Sequence, residues 1–430
     1  MAIGTRDASD VAAAVAIAGR FDVPVVMRGA GTSLPGQTIG GGAIVLDTSR
    51  HMDAIGEIDT QSLRVRVGPG VVQEDLNRAA QRHGLGFGPD TSTSNRATVG
   101  GMIGNNSSGS HSIVYGTTID HVHELEVVLS DGSRARLHAV DEAERARRAQ
   151  APTLEGAIYR GLPELLSEHS DAIATGYPRH WRQSGGYRLD RLAAGPFDLA
   201  RFVTGSEGTL VAITEATVGL VGLPKAKQFA VGHFDSIAAA IAATDDALEL
   251  GAAAVEMIDR TILGLSRSRL AYRRLSETLE GDPAALLFVT FFADTAAEAG
   301  AQLDRLEAAW RRHGHGYHVL RAESASEQEA LTNVRKAGLG LLMAASSGAR
   351  RPLAFVEDTA VAPERLGDYV ARFREILDRH GLTAGWYGHC SVGCLHIRPF
   401  VDLTAPGQVE TMRAVAEEVL ALVEDRKSVV

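Results

Sequence analysis

The chain has 430 residues, 45% hydrophobic and 22% charged, with a formal net charge of -10. That acidic balance excludes nucleic acid as the main partner, because phosphate backbones need a basic face. Cys390 and Cys394 are the only thiols, too few for a four-thiolate iron–sulfur site or a disulfide framework. The length predicts two or three domains with sizeable cores. No apolar run reaches membrane-spanning length and the first residues lack a signal-peptide pattern, so a cytoplasmic location is expected.

Ser9 or Asp10 is positioned to cap a helix through Arg20, with Val11, Ala14, Val15 and Ala18 on one face. Val23 to Met27 reads as a short buried strand running into RGAGTSLPG, Arg28 to Gly36, and strand-like segments follow at Ala43 to Asp47 and Leu63 to Gly68. A dinucleotide fingerprint needs its glycines to open a helix. Here more loop and a strand follow, so the Gly-x-Gly at Gly29 and Gly31 is not that motif.

Gln73 to His83 reads as a helix closed by Gly84, and Phe87 to Thr91 as a turn. The turn enters a Gly-rich stretch, Thr98 to Gly116, that includes Asn105, Asn106, Ser107 and Ser108. This stretch is read as a loop, and two readings stand open. It is either a set of main-chain nests for an anionic, phosphorylated cofactor or a solvated surface loop. Ser130-Asp131-Gly132 marks a hairpin within Leu125 to Arg136, and Asp141 to Ala151 reads as an exposed connector or helix. Arg201 to Leu220 returns to strand character around a tight turn at Gly205 to Thr209.

A new pattern begins near Gly222. Strands are predicted at Phe229 to Phe234, Leu286 to Phe292 and His318 to Arg321. Helices are predicted from a Ser236 cap to Gly251, from Thr295 to His313, and from Pro363 to His380. The alternation predicts a separate α+β domain on an antiparallel sheet. The domains are therefore placed at 1–222 and 223–424. Residues 425–430 (DRKSVV) abandon the helical pattern and are read as an appended tail, with the natural chain expected to continue beyond Glu424.

These pieces resemble the FAD-linked oxidases of the vanillyl-alcohol-oxidase superfamily, and within it the D-2-hydroxyacid dehydrogenases acting on D-2-hydroxyglutarate, D-lactate or glycolate. The motifs that carry the resemblance are RGAGTS (Arg28 to Ser33), GPDTSTSNRATVGGMIGNNSSG (Gly88 to Gly109), GSEGTLVAITE (Gly205 to Glu215), FVEDTAV (Phe355 to Val361) and YGHCSVGCLHIRP (Tyr387 to Pro399). The resemblance is strongest to a branch fused to a C-terminal iron–sulfur module that is not in this sequence. It implies a fold of the α+β class: a two-part FAD-binding domain with a substrate-binding cap over the flavin.

On the same resemblance, Gly29, Gly31 and Thr32 hold the pyrophosphate, with Arg28 supporting their loop. Pro89, Asp90, Thr91, Gly100, Gly101, Asn105, Ser107, Gly109 and Gly116 line the cofactor, and Glu207, Gly208, Ile213 and Thr214 close over its adenine side. Some relatives attach flavin to a His in the first loop; Ala30 and Thr32 stand there instead, which implies non-covalent FAD. Tyr187 resembles a residue in a segment that approaches the flavin ring.

Oxidising a 2-hydroxy acid needs a hydride acceptor, a grip on the acid and a means of favouring the alkoxide. Arg335 matches the position that holds the substrate carboxylate, and guanidinium suits bidentate carboxylate binding; without the family context it would read as a solvated helix Arg. His389 and His396 match two ligands of a divalent metal, zinc or manganese. They stand seven residues apart, and Ser391-Val392-Gly393 is expected to turn the chain so that they meet. A bound cation would lower the pKa of the substrate hydroxyl, while the plain alternative is two core or polar histidines. Relatives draw a third ligand and a base from a downstream Glu-His-Gly motif that this sequence does not contain. Cys390 and Cys394 are read as small buried hydrophobes, and Glu357 and Asp358 as pocket-ordering or structural acids.

The leading reading is an FAD-dependent dehydrogenase of a small 2-hydroxy acid. The expected electron acceptor is a quinone, an electron-transfer flavoprotein or an iron–sulfur module. Peripheral membrane contact and a homodimer also fit that reading. A flavin reductase of cell-wall synthesis shares the FAD domain but lacks a counterpart to GHCSVGCLH. A non-catalytic FAD-binding electron-relay subunit remains as an alternative.

Overall fold

Asp7, rather than Ser9 or Asp10, caps the first helix, Ala8–Arg20, by accepting the N–H groups of both those residues. The helix buries Val11, Val15 and Ala18 against a parallel three-stranded sheet whose order is Ala2–Gly4, Ile44–Asp47, Val25–Arg28. The computed structural model describes residues 1–34, 36–178, 180–183, 185–267, 279–322, 324–345 and 348–425. Asp425, placed in the expected tail 425–430, instead closes the helix Gln408–Asp425, and residues 426–430 lie outside the described residues.

The chain divides into two compact units, Met1–Tyr177 with Ser184–Leu223, and Pro178–Gln183 with Pro224–Val430. The six residues Pro178–Gln183 thus leave the first unit for the second, an excursion that a single boundary near Gly222 does not contain. The His180 ring is anchored there on the Val392 carbonyl at 3.1 Å.

The first unit also holds a six-stranded antiparallel sheet ordered Ile55–Asp59, Arg64–Val67, Ala212–Gly219, Val122–Val128, Arg134–Val140, Phe197–Asp198. Alternate residues (Val65, Val67, Leu125, Val127, Ala216, Val218) share one core with the helices Gln73–Gln81, Val99–Asn105 and Leu199–Val203, as a half-buried sheet requires.

Two sequence expectations are corrected here. The Thr98 to Gly116 stretch is not a continuous loop: Thr98 caps a helix at Val99–Asn105, and Ser112–Tyr115 forms a further turn of helix. Strand character does not begin at Arg201, because Asp198 accepts the N–H groups of Ala200 and Arg201 and nucleates the helix Leu199–Val203.

The second unit is built on an antiparallel sheet ordered His318–Ala322, Ala226–Phe234, Ala285–Ala293, Ala254–Asp259, Ala384–His389, Cys394–Val401, Arg351–Pro352, with Thr359–Ala360 also paired to Cys394–Val401. Its central strand reads ALLFVTFFA. Ala285, Leu287, Val289 and Phe291 pack among the helices Ala296–His313 and Leu366–Arg379. Leu286 and Phe288 pack on the opposite face with Arg260–Arg267 and Ala325–Met343. Two covered faces explain why this strand is apolar throughout rather than alternating; truncating Phe288 to Ala would cost about 3–5 kcal/mol. The helix expected from Ser236 to Gly251 is broken into Ile237–Ala242 and Thr244–Glu249. The Thr244 hydroxyl donates back to the Ala240 carbonyl at the break, a bond that bends helices. Among the described residues, no helix is long and apolar enough to cross a membrane.

Candidate functional site

In the first unit the expected cofactor residues converge on the helix Val99–Asn105. Gly29, just past the strand Val25–Arg28, abuts the Thr98 side chain, where a Cβ would lie 2.0 Å from Oγ1. Arg28 donates to the Thr38 carbonyl at 3.2 Å, beyond the Arg28–Gly36 stretch, and its guanidinium lies against Gly31. Among the described residues, the N–H groups of Ala30, Gly31, Thr32 and Ser33 donate to no protein atom. Four consecutive main-chain donors left free by the protein are the raw material of an anion nest.

The Gly100 and Gly101 donors differ. Gly100 N–H goes to the Pro69 carbonyl at 2.9 Å and Gly101 N–H to Thr98 Oγ1 at 3.4 Å. Their N–H groups are therefore already paired within the protein. Pro89 and Thr91 are held by Gln73, whose Nε2 donates to the Pro89 carbonyl and whose Oε1 accepts from Thr91 at 2.7 Å.

Asp90 accepts from the His111 N–H at 3.1 Å and meets its Nδ1 at 2.6 Å. Gly109 lies so close that a Cβ would come within 2.1 Å of the Asp90 carbonyl. Asn105 donates to Ser107 at 3.1 Å, and Glu207 N–H reaches the Gly104 carbonyl at 2.8 Å, which brings the Glu207–Gly208 turn to the end of the same helix. Gly116 ends the turn Ser112–Tyr115. Ile213 and Thr214 lie apart from this cluster, in the strand Ala212–Gly219. The Ile213 side chain is in the core and the Thr214 hydroxyl donates to the Glu126 carbonyl at 3.0 Å. Tyr187 meets Thr209 Oγ1 at 2.9 Å.

In the second unit a hairpin carries both candidate ligand histidines. The strand Ala384–His389 ends in a one-turn 3-10 helix, Cys390–Val392, and Gly393 at φ 62 reverses the chain into Cys394–Val401. Only glycine fits this turn, since a Cβ would lie 1.7 Å from the Val361 carbonyl. The register pairs His389 with Cys394 and Tyr387 with His396. His389 and His396 are therefore diagonal neighbours on one face, with their Nε2 atoms 3.4 Å apart.

Carboxylates hold the other side of each ring. His389 Nδ1 is 2.7 Å from Glu256 Oε1, on the adjacent strand at the directly paired position, and His396 Nδ1 contacts Asp358 Oδ1. Glu256 Oε2 takes the Arg335 guanidinium, so Arg335, placed on the helix Ala325–Met343, is an ion-paired residue and not a solvated one. The fully buried Arg398 pairs with Glu357 at 2.6 and 2.7 Å. Arg182, from the Pro178–Gln183 excursion, hydrogen-bonds Cys394, and its charge reaches His389, His396 and Asp358.

Burial pushes the Glu256 carboxyl up, but Arg335 and His389 outweigh it and hold it below the ordinary value. Burial takes His389 down to about 4 against the pull of Glu256. It also opposes the charge on His396, where Asp358 prevails and raises the ring. Desolvation likewise works against Asp358, and His396 brings that carboxyl to about 2. His389 is thus the ring that stays neutral, while Asp358 favours the charged form of His396. Burial raises the Cys390 and Cys394 thiols, Cys394 to about 12, which makes both inert.

A divalent ion fits the gap. An ion bound at about 2.0–2.1 Å in tetrahedral geometry spaces its ligands about 3.3–3.4 Å apart, the separation the two Nε2 atoms already have. Carboxylates on the far nitrogens are the usual orienters of metal-bound imidazoles. Glu357 and Asp358 also converge on His396 with donor atoms within 4.8 Å. Sequence reasoning missed Glu256 and Arg182. A buried Glu inside the apolar strand AVEMID was the available signal for the first, because such a charge demands a partner.

The fold is of the vanillyl-alcohol-oxidase type. p-Cresol methylhydroxylase superimposes with a TM-score of 0.66 at 15% identity, over 100% of this chain and 80% of that one. Alkyldihydroxyacetonephosphate synthase gives 0.62 at 15% identity, over 97% and 71%. Residues 2–138 match the family described as FAD binding domain, and residues 223–427 match FAD linked oxidases, C-terminal domain. The two matches follow one another along the chain, an FAD binding domain and then the C-terminal domain of FAD linked oxidases.

Among curated relatives, it is 37% identical over 434 residues to D-2-hydroxyglutarate dehydrogenase of Pantoea ananatis, covering 97% of this chain and 42% of that protein. It is 36% identical over 409 residues to the Escherichia coli protein of that name, covering 92% and 40%. Glycolate oxidase subunit GlcD of Bacillus subtilis is 28% identical over 435 residues, covering 97% and 76%. The chain spans less than half the length of the D-2-hydroxyglutarate dehydrogenases it matches.

Proposed function

We propose that this chain binds FAD non-covalently and oxidises a small D-2-hydroxy acid, of the D-2-hydroxyglutarate or D-lactate kind, to the 2-oxo acid. The observation that carries the reading is the pair of imidazoles that face each other through Nε2, each oriented by its own carboxylate. FAD, when bound, supplies the hydride acceptor. His389 and His396 would hold a zinc or manganese ion, which would supply a Lewis acid for the substrate hydroxyl.

The chain's own residues do the rest. The unpaired N–H groups from Ala30 to Ser33 receive the pyrophosphate. Gly29, Asp90, Gly109, Asn105, Ser107 and Glu207 form one cradle around the helix Val99–Asn105. Arg335 takes the acid's carboxylate while Glu256 holds its guanidinium in place, and Arg182 adds a second positive charge beside the histidines. Two free, buried thiols fit a reducing, cytoplasmic setting.

The test is anaerobic addition of D-2-hydroxyglutarate, D-lactate or glycolate to the FAD-loaded, zinc- or manganese-supplied chain. Bleaching of the flavin by the D but not the L acid is expected. A flavin that binds but stays oxidised with every acid would overturn the dehydrogenase reading in favour of an electron-relay role.

A further inference from the structure

Asp246 lies in the helix Thr244–Glu249 and is largely buried. His313 ends the helix Ala296–His313, and Gly314 in the left-handed region turns the chain back. The His315 N–H then reaches the Trp310 carbonyl at 2.8 Å, the longer bond of a Schellman C-cap. Trp310 also donates its indole N–H to the Ala243 carbonyl at 3.0 Å, so the two helices are fixed against each other. The result is that both rings of the short motif His313-Gly314-His315 turn toward one carboxylate. His313 Nδ1 is 2.9 and 3.0 Å from the two Asp246 oxygens. His315 Nε2 is 3.8 Å from Oδ2.

The second distance is the informative one. At 3.8 Å it is too long for a hydrogen bond but within ion-pair range, so Asp246 draws in both imidazoles and not His313 alone. Ligands of a tetrahedral ion are separated by about 3.3–3.4 Å, and the observed contacts bracket that value. The three donor atoms lie within 4.8 Å of one another. The His313 side chain is 46% exposed, which leaves solvent access for a fourth ligand. The surroundings are acidic, with Asp245, Glu249 and Glu364 close to Asp246.

We infer that Asp246, His313 and His315 form a second divalent-cation site, separate from His389 and His396, that takes zinc or a similar imidazole-preferring ion with water in the fourth position. Two imidazoles and one carboxylate are ligands suited to late first-row ions. The ion ties the end of one helix to another whose first residue, Thr244, hydrogen-bonds the Cys390 thiol next to His389. Its role is that of a structural clamp on the element behind the hairpin.

The test is a Co2+ titration of the full, FAD-loaded chain followed by visible absorption, in the wild type, in His315→Ala and in the double variant His313→Ala, His315→Ala. Both histidines lie on the surface side of the fold, so the variants are expected to fold. The double variant should bind one Co2+ equivalent fewer than the wild type. His315→Ala should bind the same equivalent about tenfold more weakly or worse. Stoichiometry and affinity unchanged in the double variant would overturn the proposal. So would a zinc-saturated crystal with no anomalous peak beside Asp246.

Discussion

The Nε2 atoms of His389 and His396 face each other across 3.4 Å because a carboxylate grips the opposite nitrogen of each ring, Glu256 for one and Asp358 for the other. Two imidazole nitrogens that close, each with its far nitrogen held by an acid, leave a gap suited to a cation. Replacing His389 or His396 by Ala should abolish tight Zn2+ or Mn2+ binding at the hairpin. It should slow acid-driven flavin reduction by about a hundredfold or more, since a Lewis acid contributes several kcal/mol. FAD content should not change. Reduction rates that match the wild type would remove the metal from the proposal.

Glu256 acts through His389 and Arg335 rather than on substrate. Glu256→Gln keeps the volume and removes the charge, so Zn2+ affinity at the hairpin should fall about 10–100-fold, the usual effect of losing a ligand's orienting group. Zn2+ titration of the variant measures this directly, and an unchanged dissociation constant would show that Glu256 is only structural.

Arg335→Ala should do two things at once, because Glu256 is buried and keeps only one partner. KM for the acid should rise with FAD content intact, and chemical denaturation should show a loss of about 3–5 kcal/mol, the cost of breaking a buried pair. Arg335→Lys should recover part of the stability but less of the binding, since ammonium lacks the bidentate fork. A KM untouched by either change would mean that the carboxylate is held elsewhere.

Gly109→Ala forces a methyl group to within 2.1 Å of the Asp90 carbonyl. The Asp90–Thr91 turn must shift, at about 1–3 kcal/mol. Purified variant protein should be depleted of flavin while its far-ultraviolet circular dichroism stays normal. Yellow protein with full FAD occupancy would place the cofactor away from this turn.

His233 is fully buried between His318 and Tyr317, and burial takes its ring down to about 4 from an ordinary 6.5. The unfolded chain therefore binds the proton more readily than the folded one. Stability from this residue is complete above pH 6.5 and declines as pH falls toward 4. Urea midpoints measured across that window should drop for the wild type and drop less steeply for His233→Asn. Parallel profiles would locate the acid sensitivity in other groups.

Much of the architecture was legible from local pattern. Leu286 to Phe292 announced its strand, Ser236 announced its cap, and Ser391-Val392-Gly393 announced the turn that joins the histidine strands. Less visible were features decided by neighbours remote in sequence. The Gly-rich stretch looked like loop because glycine is a poor helix former. It is helical at Val99–Asn105 because Thr98 caps it and its small residues let Pro69 and Gly205 approach.

The sequence by itself determined the strands, the caps, the hairpin turn and the chemical types available: imidazoles, guanidinium groups and bare main-chain amides. It could do so because hydrophobic period, capping residues and glycine all act within a few residues. Only the tertiary structure decided which acid holds which base. Glu256 meets His389 from 133 residues away because two strands happen to be sheet neighbours. Asp246 meets His315 because an indole pins one helix to another. Charge pairing in a low-dielectric interior depends on distance through space, and that distance exists only once the chain has folded.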